Sequence, residues 1–204
     1  SVRNTALEPV TAGETATAAA GPAGGRTLRV FLVDPSLFTG TYDAALTEGL
    51  VACGVDPIWA TRPTRTGDRQ EIPQRYVDPF FYRRVDEAAG LPGPLRILAK
   101  GVAHALGMAR LVGRVRHARP DAVHVQWVVL PLVDAIAFWF IRRRARLVLT
   151  VHDTVPFNGI RISWTHKLGF DAPIHLAHRV VVHTGEGRER LVARGVKREK
   201  ISVI

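Results

Sequence analysis

Cysteine is nearly absent from this sequence, since Cys53 is the only one among its 204 residues. A single thiol excludes an internal disulfide and a metal cluster held by cysteines, so the fold does not require an oxidising compartment. We expect Cys53 to lie in the core. A basic start followed by an apolar run, the mark of a secretory signal, is also missing before Leu28, which predicts a cytoplasmic protein.

Large apolar side chains are scarce in the first 27 residues, which are mainly Ala, Thr, Gly and Pro. A segment that buries so little apolar surface cannot offset the entropy lost when a chain is ordered. We therefore predict a flexible tail over residues 1–27 and a single folded domain over residues 28–204.

An uninterrupted apolar run long enough to cross a membrane is missing as well. Residues 122–141 form the most apolar stretch, but they are interrupted by His124, Gln126, Pro131 and Asp134. A helix that spans a bilayer needs about 20 consecutive, predominantly apolar residues. This stretch is better explained as a strand followed by a helix.

The common signatures of nucleotide-binding loops and of serine hydrolases are also lacking. There is no G-x-G-x-x-G after the first apolar run, no G-x-x-x-x-G-K-[ST], and no serine in a G-x-S-x-G turn. His175 and His178 have no evident third partner, so no metal site is expected. We predict that this domain binds neither a metal nor a cofactor.

Negative charge is in the minority, because 28 Lys and Arg face 18 Asp and Glu for a net charge of +10. Such a surface attracts anions, whether nucleic acid, anionic lipid or phosphate-bearing substrates. A nucleic-acid surface would combine aromatic and basic residues on one exposed face, and only Tyr76–Arg84 has that composition. We therefore expect no nucleic-acid partner.

Short apolar runs alternate with longer segments of helical period from Leu28 onward, the pattern of βα units on a parallel sheet. We predict an α/β fold with a Rossmann-like parallel sheet of about six or seven strands and helices on both faces. The predicted strands are Leu28–Asp34, Val55–Thr61, Ala122–Val128, Leu147–His152, Arg179–Thr184 and Ile201–Ile204.

Helices are predicted between these strands, with start and stop signals at their ends. They are Tyr42–Cys53, capped by Thr41 and ended by Gly54; Leu95–His117; Pro131–Arg143; and Glu186–Arg194, capped by Thr184 and ended by Gly195. Between Arg62 and Gly93 the pattern fails, and we predict a long loop with an aromatic anchor.

Four segments, in this order along the chain, carry a family resemblance: PDAVHVQWV at 120–128, LVLTVHDTVPFNG at 147–159, RVVVHT at 179–184, and the ending RLVARGVKREKISVI. Together they resemble the N-terminal, acceptor-side domain of family 4 glycosyltransferases, which have the GT-B fold. The resemblance covers residues 28–204.

The resemblance implies a two-domain enzyme that moves a sugar from a nucleotide-diphosphate donor to an acceptor, with retention of configuration and without a required metal. The C-terminal donor-binding domain is absent from this sequence, so the nucleotide sugar is expected only in the complete enzyme and the fragment alone is expected to be inactive. The acceptor is expected to be a sugar or a lipid-linked molecule, in bacterial polysaccharide or glycolipid biosynthesis. An alternative stays open: a non-catalytic Rossmann-like module that binds a membrane surface or a partner protein.

His152 matches the family position that faces the cleft near the transferred sugar. It ends a predicted buried strand, where a parallel sheet presents its ligands, and an imidazole both donates and accepts hydrogen bonds near neutral pH. We assign His152 and Asp153 as catalytic candidates. The alternatives are a histidine that caps the following turn and an aspartate that only forms that turn.

The loop Pro35–Asp43 runs from the first predicted strand into a helix N-terminus, where unpaired amides favour an anion. An acceptor phosphate or a donor diphosphate could dock there. Family members usually have a glycine pair in this loop, but only Gly40 is present. The alternative is a plain strand-to-helix turn. The acceptor-binding candidates of this loop are Thr39, Gly40, Thr41 and Tyr42.

Further acceptor-binding candidates follow other strands: Trp127, Asn158, His183 and Thr184. The indole of Trp127 suits a sugar face or simple core packing, and Thr184 is also a good helix cap. His124, inside a predicted strand, is expected to be a satisfied core residue.

The predicted helix Leu95–His117 is amphipathic and carries basic residues that suit an anionic lipid surface. Its membrane-surface candidates are Arg96, Lys100, Arg110 and Arg114. The alternative is a solvated helix face. We expect peripheral association with the inner face of the membrane.

Overall fold

The computed structural model describes residues 26–83, 92–152 and 171–204. It contains the strands and helices β1 (Leu28–Asp34), α1 (Gly40–Ala52), β2 (Val55–Thr61), β3 (Val77–Pro79), α2 (Gly93–Ala118), β4 (Ala122–Val125), α3 (Pro131–Ile141), β5 (Arg146–Val151), α4 (Ala172–Leu176), β6 (Arg179–Val182), α5 (Gly185–Ala193) and β7 (Ile201–Val203). Short 3₁₀ helices precede β3 (Gln74–Tyr76) and β7 (Arg198–Lys200).

The seven strands form one sheet in the order β3-β2-β1-β4-β5-β6-β7, and every neighbouring pair is parallel. The predicted Rossmann-like fold is confirmed. Because the strands all run the same way, the segments that follow them lie at one edge of the sheet, where α/β proteins bind ligands. The order reverses beside β1, since β2 lies on one side of it and β4 on the other.

Helices cover both faces of the sheet, as the side chains that alternate along β1 show. Leu32 packs with Trp59 of β2 and with Leu46 and Leu50 of α1. Side chains of neighbouring residues point to opposite faces of a strand. Its neighbours Phe31 and Val33 accordingly belong to a larger cluster that includes Met108 and Leu111 of α2 and Phe138 and Ile141 of α3.

The helix ends confirm most of the predicted signals. The side chain of Thr184 accepts a hydrogen bond from the amide of Gly187 at 2.9 Å and so caps α5. Gly54 and Gly195 adopt positive φ angles of 74° and 85°, which an L side chain rarely tolerates, and end α1 and α5. The predicted cap at Thr41 is wrong, because α1 already begins at Gly40, directly after Thr39.

Residues 62–83, the first described part of the predicted long loop, are more ordered than predicted, since they add β3 as an edge strand. The expected aromatic anchor is present: Phe81 is fully buried and stacks on Phe80 at a centroid distance of 4.8 Å. Helix α2 meets this ring at Gly107, where an added Cβ would stand 2.2 Å from Cδ1 of Phe81. The packing of Phe81 against α2 thus requires a glycine at position 107.

Cys53 is exposed at the end of α1, so its predicted place in the core is wrong. None of the helices within the described residues is both long and apolar enough to cross a membrane. The predicted tail lies almost wholly outside the described residues, as do Asp153 and Asn158, and those assignments stay predictions.

Candidate functional site

Four aromatic and imidazole rings meet at the carboxyl edge of the sheet, and we call them the ring cluster: Tyr42, Trp127, His152 and His183. The His152 ring stacks on Trp127 with a centroid distance of 4.5 Å and an interplanar angle of 13°. Tyr42 meets both imidazoles edge-on, at 5.6 Å each. Residues from three different strand ends and from α1 therefore form one surface.

The two imidazoles of the cluster are hydrogen bonded to each other. Nε2 of His183 and Nδ1 of His152 are 3.1 Å apart, so one ring donates its proton to the other. Below them, Nε2 of His124 bonds to Oγ1 of Thr150 at 2.8 Å. Burial, and then the neighbouring His152, lower the pKa of His124 to about 4, so His124 is neutral at pH 7. It is the satisfied core residue that the sequence predicted.

Asp34, which is fully buried, holds the loop that joins β1 to α1 through hydrogen bonds. Its carboxylate accepts hydrogen bonds from the amides of Ser36 at 3.2 Å and Thr39 at 3.3 Å, and the amide of Phe38 also bonds to it. The expectation that loop amides receive a ligand anion is therefore wrong for these three residues. The N–H groups of these residues already donate to the Asp34 carboxylate.

A second buried acid, Asp43 in the first turn of α1, lies against Asp34. Burial raises the pKa of both, and the charge of Asp34 helps to raise the pKa of Asp43 to about 9. The pair holds a proton at neutral pH. Oγ1 of Thr39 donates to Asp43 and accepts from Nε1 of Trp127, both at 3.3 Å, so the acid pair is linked to the ring cluster.

Sequence reasoning missed this acid pair. Asp34 ends a buried strand and Asp43 stands in the first helical turn, where an acid usually serves as a cap. The position of Asp34 in the sequence could have indicated it, since a charge at the carboxyl end of a buried strand lies at the ligand edge of a parallel sheet.

The raised pKa values of Asp34 and Asp43 predict that the protein becomes less stable as the pH rises. An acid with a raised pKa stabilises the fold fully below its unfolded value of 3.8, and this contribution is lost as pH rises towards the folded value of about 9. Between pH 6.5 and 8.5 we expect the free energy of unfolding to fall by about 1.4 kcal/mol per pH unit. Asp43→Asn, which carries no titratable proton, should flatten that slope in urea unfolding experiments.

The pH window avoids His124 and His178, because the pKa values of both are lowered from 6.5 and they therefore change protonation state mainly below this window. Asp56→Asn, at a half-exposed carboxylate paired with Arg29, is the matched control and should keep the wild-type slope. A wild-type protein equally stable at pH 6.5 and 8.5 would contradict the shared proton.

Gln126, directly before Trp127 in the chain, is fully buried, and neither side-chain polar atom has a hydrogen-bond partner among the described residues. Its backbone amide donates to the carbonyl of Val33, which continues the pairing of β4 with β1 and places it level with Asp34. An unsatisfied buried amide costs about 1–3 kcal/mol. The side chain of Gln126 therefore lowers the stability of the fold.

The other predicted residues are distributed as follows. Thr39, Gly40, Thr41 and Tyr42 line a cavity of about 510 Å³ beside the ring cluster, together with Glu71. Thr184 is exposed and serves as the α5 cap. Within residues 26–83, 92–152 and 171–204, no three His, Cys, Asp or Glu side chains are grouped as metal ligands would be.

The four basic candidates on α2 are all exposed: Arg96, Lys100, Arg110 and Arg114. Arg114 pairs with Asp78 at 2.5 Å and lies 4.6 Å from the centroid of the Phe80 ring. Lys100 lines a separate cavity at the carboxyl edge of the sheet. The predicted basic surface is thus present on the helix.

The parallel sheet with helices on both faces defines a Rossmann-like α/β domain. The model of one family, Glycosyltransferase Family 4, matches residues 39–204, and the chain belongs to that family. None of the curated protein sequences matches the chain significantly.

Three solved structures share the fold. They are UDP-N-acetylglucosamine 2-epimerase from Rickettsia bellii (16% identity, TM-score 0.56, 86% of this chain and 44% of that one), HepE from Anabaena in complex with UDP-glucose (15%, 0.52, 87% and 43%) and the lipopolysaccharide outer core galactosyltransferase WaaB in its apo form (12%, 0.52, 86% and 45%). At this level of identity the likeness shows the fold alone. The chain spans less than half the length of each.

Proposed function

We propose that this chain supplies the acceptor-binding half of a retaining glycosyltransferase, which transfers a sugar from a nucleoside-diphosphate donor to an acceptor. The ring cluster carries the proposal, because it joins Trp127 and Tyr42 to two imidazoles at the ligand edge of the sheet. Aromatic rings pack against the apolar faces of sugars, and imidazoles hydrogen bond to their hydroxyl groups.

Within this proposal His152 hydrogen bonds to the reacting sugar or to the acceptor, and His183 orients it through the 3.1 Å contact between the rings. Phe38, which is 63% exposed and meets Trp127 edge-on at 5.5 Å, extends the apolar part of the surface. Asp153 and Asn158 complete the proposed site. The domain itself needs no metal or cofactor for this role.

The donor belongs to a second domain in this proposal. This chain covers 43–45% of the length of HepE and WaaB, so a complete protein of similar size would contain a further domain. The net charge of +10 would attract the diphosphate of a nucleotide sugar. Polysaccharide or glycolipid precursors are the proposed acceptors.

A transfer assay tests the proposal on the complete natural polypeptide that contains this chain. Nucleoside diphosphate release from a panel of nucleotide sugars is measured with and without candidate polysaccharide and lipid-linked acceptors. We expect acceptor-dependent release and a product with the donor's anomeric configuration. Conversion of the donor to an epimer without transfer would contradict the proposal, and it is the outcome that the epimerase likeness makes worth measuring.

Peripheral binding to the cytoplasmic face of the membrane is part of the proposed function. Leu95, Leu98, Val102 and Leu106 recur at intervals of three and four residues on α2, and each is at least half exposed. Arg96 and Arg110 are exposed on the same helix. An apolar stripe flanked by basic residues is typical of helices that lie on anionic lipid.

Vesicle sedimentation tests this association. We expect the chain to sediment with phosphatidylglycerol vesicles at low salt, since each basic residue near an anionic surface contributes about 1 kcal/mol. Val102→Asp on the stripe should reduce binding about tenfold or more, and Val51→Asp, at an exposed valine of α1, is the control that should not. Equal recovery with neutral phosphatidylcholine vesicles would count against the proposal.

A further inference from the structure

Tyr82 lies outside the ring cluster, in the middle of a line of hydrogen bonds that the proposed transfer does not use. Its hydroxyl is 2.8 Å from Nδ1 of His104, and Nε2 of the same imidazole is 2.6 Å from Oδ1 of Asp134. The side chain of Ser36 is hydrogen bonded to the Tyr82 hydroxyl as well. We call these four residues the Tyr82 network. It joins the β1–α1 loop, the segment after β3, α2 and α3.

The hydrogen bonds of the Tyr82 network run in one direction. A carboxylate only accepts hydrogen bonds, so Nε2 of His104 donates to Asp134, and Nδ1 of the imidazole accepts the proton of Tyr82. Burial raises the pKa of Tyr82 to about 12, against the lowering effect of the hydrogen bond from Ser36, so the phenol keeps that proton at neutral pH. His104 and Asp134 are only 1% and 2% exposed, so water does not compete for their bond.

Asp134 connects the network to the segment that carries Trp127. Its other oxygen, Oδ2, accepts hydrogen bonds from the amides of Val129 at 2.8 Å and Leu130 at 2.9 Å. Both amides follow Trp127 closely in the chain, between β4 and α3. Asp134 therefore holds the backbone next to the residue whose indole stacks on His152.

Ser36 connects the network to the loop that contacts the same indole. The Phe38 ring of this loop meets Trp127 edge-on at 5.5 Å, and the Thr39 hydroxyl accepts a hydrogen bond from Nε1 of Trp127 at 3.3 Å. The β1–α1 loop and the Trp127 segment are thus joined twice, directly at the indole and indirectly through Tyr82. Two connections fix the relative position of two segments more firmly than one.

The backbone is strained at both ends of the contact between Ser36 and Tyr82. Tyr82 has a φ angle of 50° and Leu37, directly after Ser36, has one of 53°, in the left-handed region that bulky residues rarely adopt. Such a conformation costs free energy and persists only where the surrounding structure holds it, and it is typical of functional sites. The network therefore maintains an arrangement that local backbone preferences oppose.

We propose that the Tyr82 network positions Trp127 and the β1–α1 loop for the binding of the acceptor, with Tyr82 as the central positioning residue. Tyr82 does not act on the acceptor directly. It acts through Ser36 on one side and through His104 and Asp134 on the other. This role rests on the glycosyl transfer proposed above.

Tyr82→Phe in the complete natural polypeptide tests this role in the transfer assay. The substitution removes one hydroxyl and keeps the aromatic ring. We expect KM for the acceptor to rise about tenfold, the effect of losing about one hydrogen bond from the binding of a substrate. KM for the nucleotide sugar and turnover should change much less, because His152 is also held by Tyr42 and His183. A loss of folding stability alone would change none of these constants in the folded enzyme.

The indole N–H signal of Trp127 in the ¹⁵N-labelled polypeptide gives a second readout, which does not depend on activity. This signal reports the hydrogen bond from Trp127 to Thr39, and its loss in Trp127→Phe assigns it. We expect Tyr82→Phe to move the Trp127 signal. The signal of Trp59, which donates to Thr47 in another cluster, should stay in place.

Ser36→Ala removes the neighbouring hydrogen bond and tests whether the two residues act together. We expect it to raise KM for the acceptor, and we expect the double variant with Tyr82→Phe to be no worse than Tyr82→Phe alone. A double variant whose effect equals the product of the two single effects would show independent roles and overturn the proposal.

Tyr76→Phe is the matched control. The half-buried Tyr76 packs against the cluster of Leu32 and Trp59, and its hydroxyl has no hydrogen-bond partner in the part of the chain that the structure describes. It should leave KM for the acceptor and the Trp127 signal unchanged. Equal effects of Tyr76→Phe and Tyr82→Phe would overturn the proposal, as would an unmoved Trp127 signal in a folded Tyr82→Phe protein.

The two readouts separate this proposal from the proposed function. Sugar transfer with an unchanged KM for the acceptor in Tyr82→Phe overturns the positioning role and leaves the transferase standing. If the complete polypeptide transfers no sugar, the proposed function fails and the Trp127 signal decides alone. A shift in Tyr82→Phe then supports the positioning of the ring cluster by the network, and an unmoved signal overturns it.

Discussion

His152→Ala in the complete polypeptide is expected to lower turnover about 100-fold or more, with a much smaller change in the affinity for acceptor. His152 lies between the Trp127 ring, the Tyr42 edge and the His183 imidazole, so its orientation is fixed before a substrate arrives. Under the proposed function this imidazole acts on the reacting atoms in the transition state, so its loss should lower turnover. Steady-state kinetics with varied acceptor separates the two quantities.

His117→Ala is the control, because His117 is exposed at the end of α2, and its turnover should equal that of the wild type. Melting temperatures of both variants show whether the fold is kept. Unchanged turnover for a folded His152→Ala protein would remove His152 from the mechanism.

Gly107→Ala should cause a large loss of stability. The new Cβ would stand 2.2 Å from Cδ1 of Phe81, and that ring is fully buried and stacked between Phe80 and His104. A Cβ this close to a buried ring atom forces the ring or the helix to shift. We expect the free energy of unfolding to fall by about 3 kcal/mol in urea unfolding experiments.

Gly113→Ala on the same helix is the control with the opposite expected sign, since a Cβ at position 113 would have no neighbour within 4 Å. It should stabilise the protein by about 0.5–1 kcal/mol through helix propensity alone. Equal effects of the two substitutions would show that Phe81 does not pack against α2 as described.

The strands were predictable because a buried parallel strand needs a continuous apolar run, and β1 and β2 have the predicted bounds. The edge strand β3 was not, because its three residues, Val77–Pro79, contain an aspartate and a proline that usually indicate a turn. The position of β3 depends on its pairing with β2, and this pairing cannot be predicted from the local sequence.

The ring cluster was partly predictable, since His152 and His183 follow buried strands and such ends share one edge. The acid pair of Asp34 and Asp43 was not, and neither were the hydrogen bonds that join Tyr82 to His104 and His104 to Asp134. Their members become partners only when α1, α2 and α3 pack, and no spacing along the chain reveals a contact between residues 82, 104 and 134. Burial, which gives these groups their unusual properties, is a product of the tertiary fold.

The position of the acceptor is tested most directly by the imidazole resonances of the complete polypeptide, labelled with ¹⁵N-histidine and titrated with the acceptor identified in the transfer assay. The account predicts that the signals of His152 and His183 move together on binding, while those of the exposed His117 and of His175 on α4 stay in place. An acceptor that saturates the enzyme and leaves the signals of His152 and His183 unmoved would contradict it.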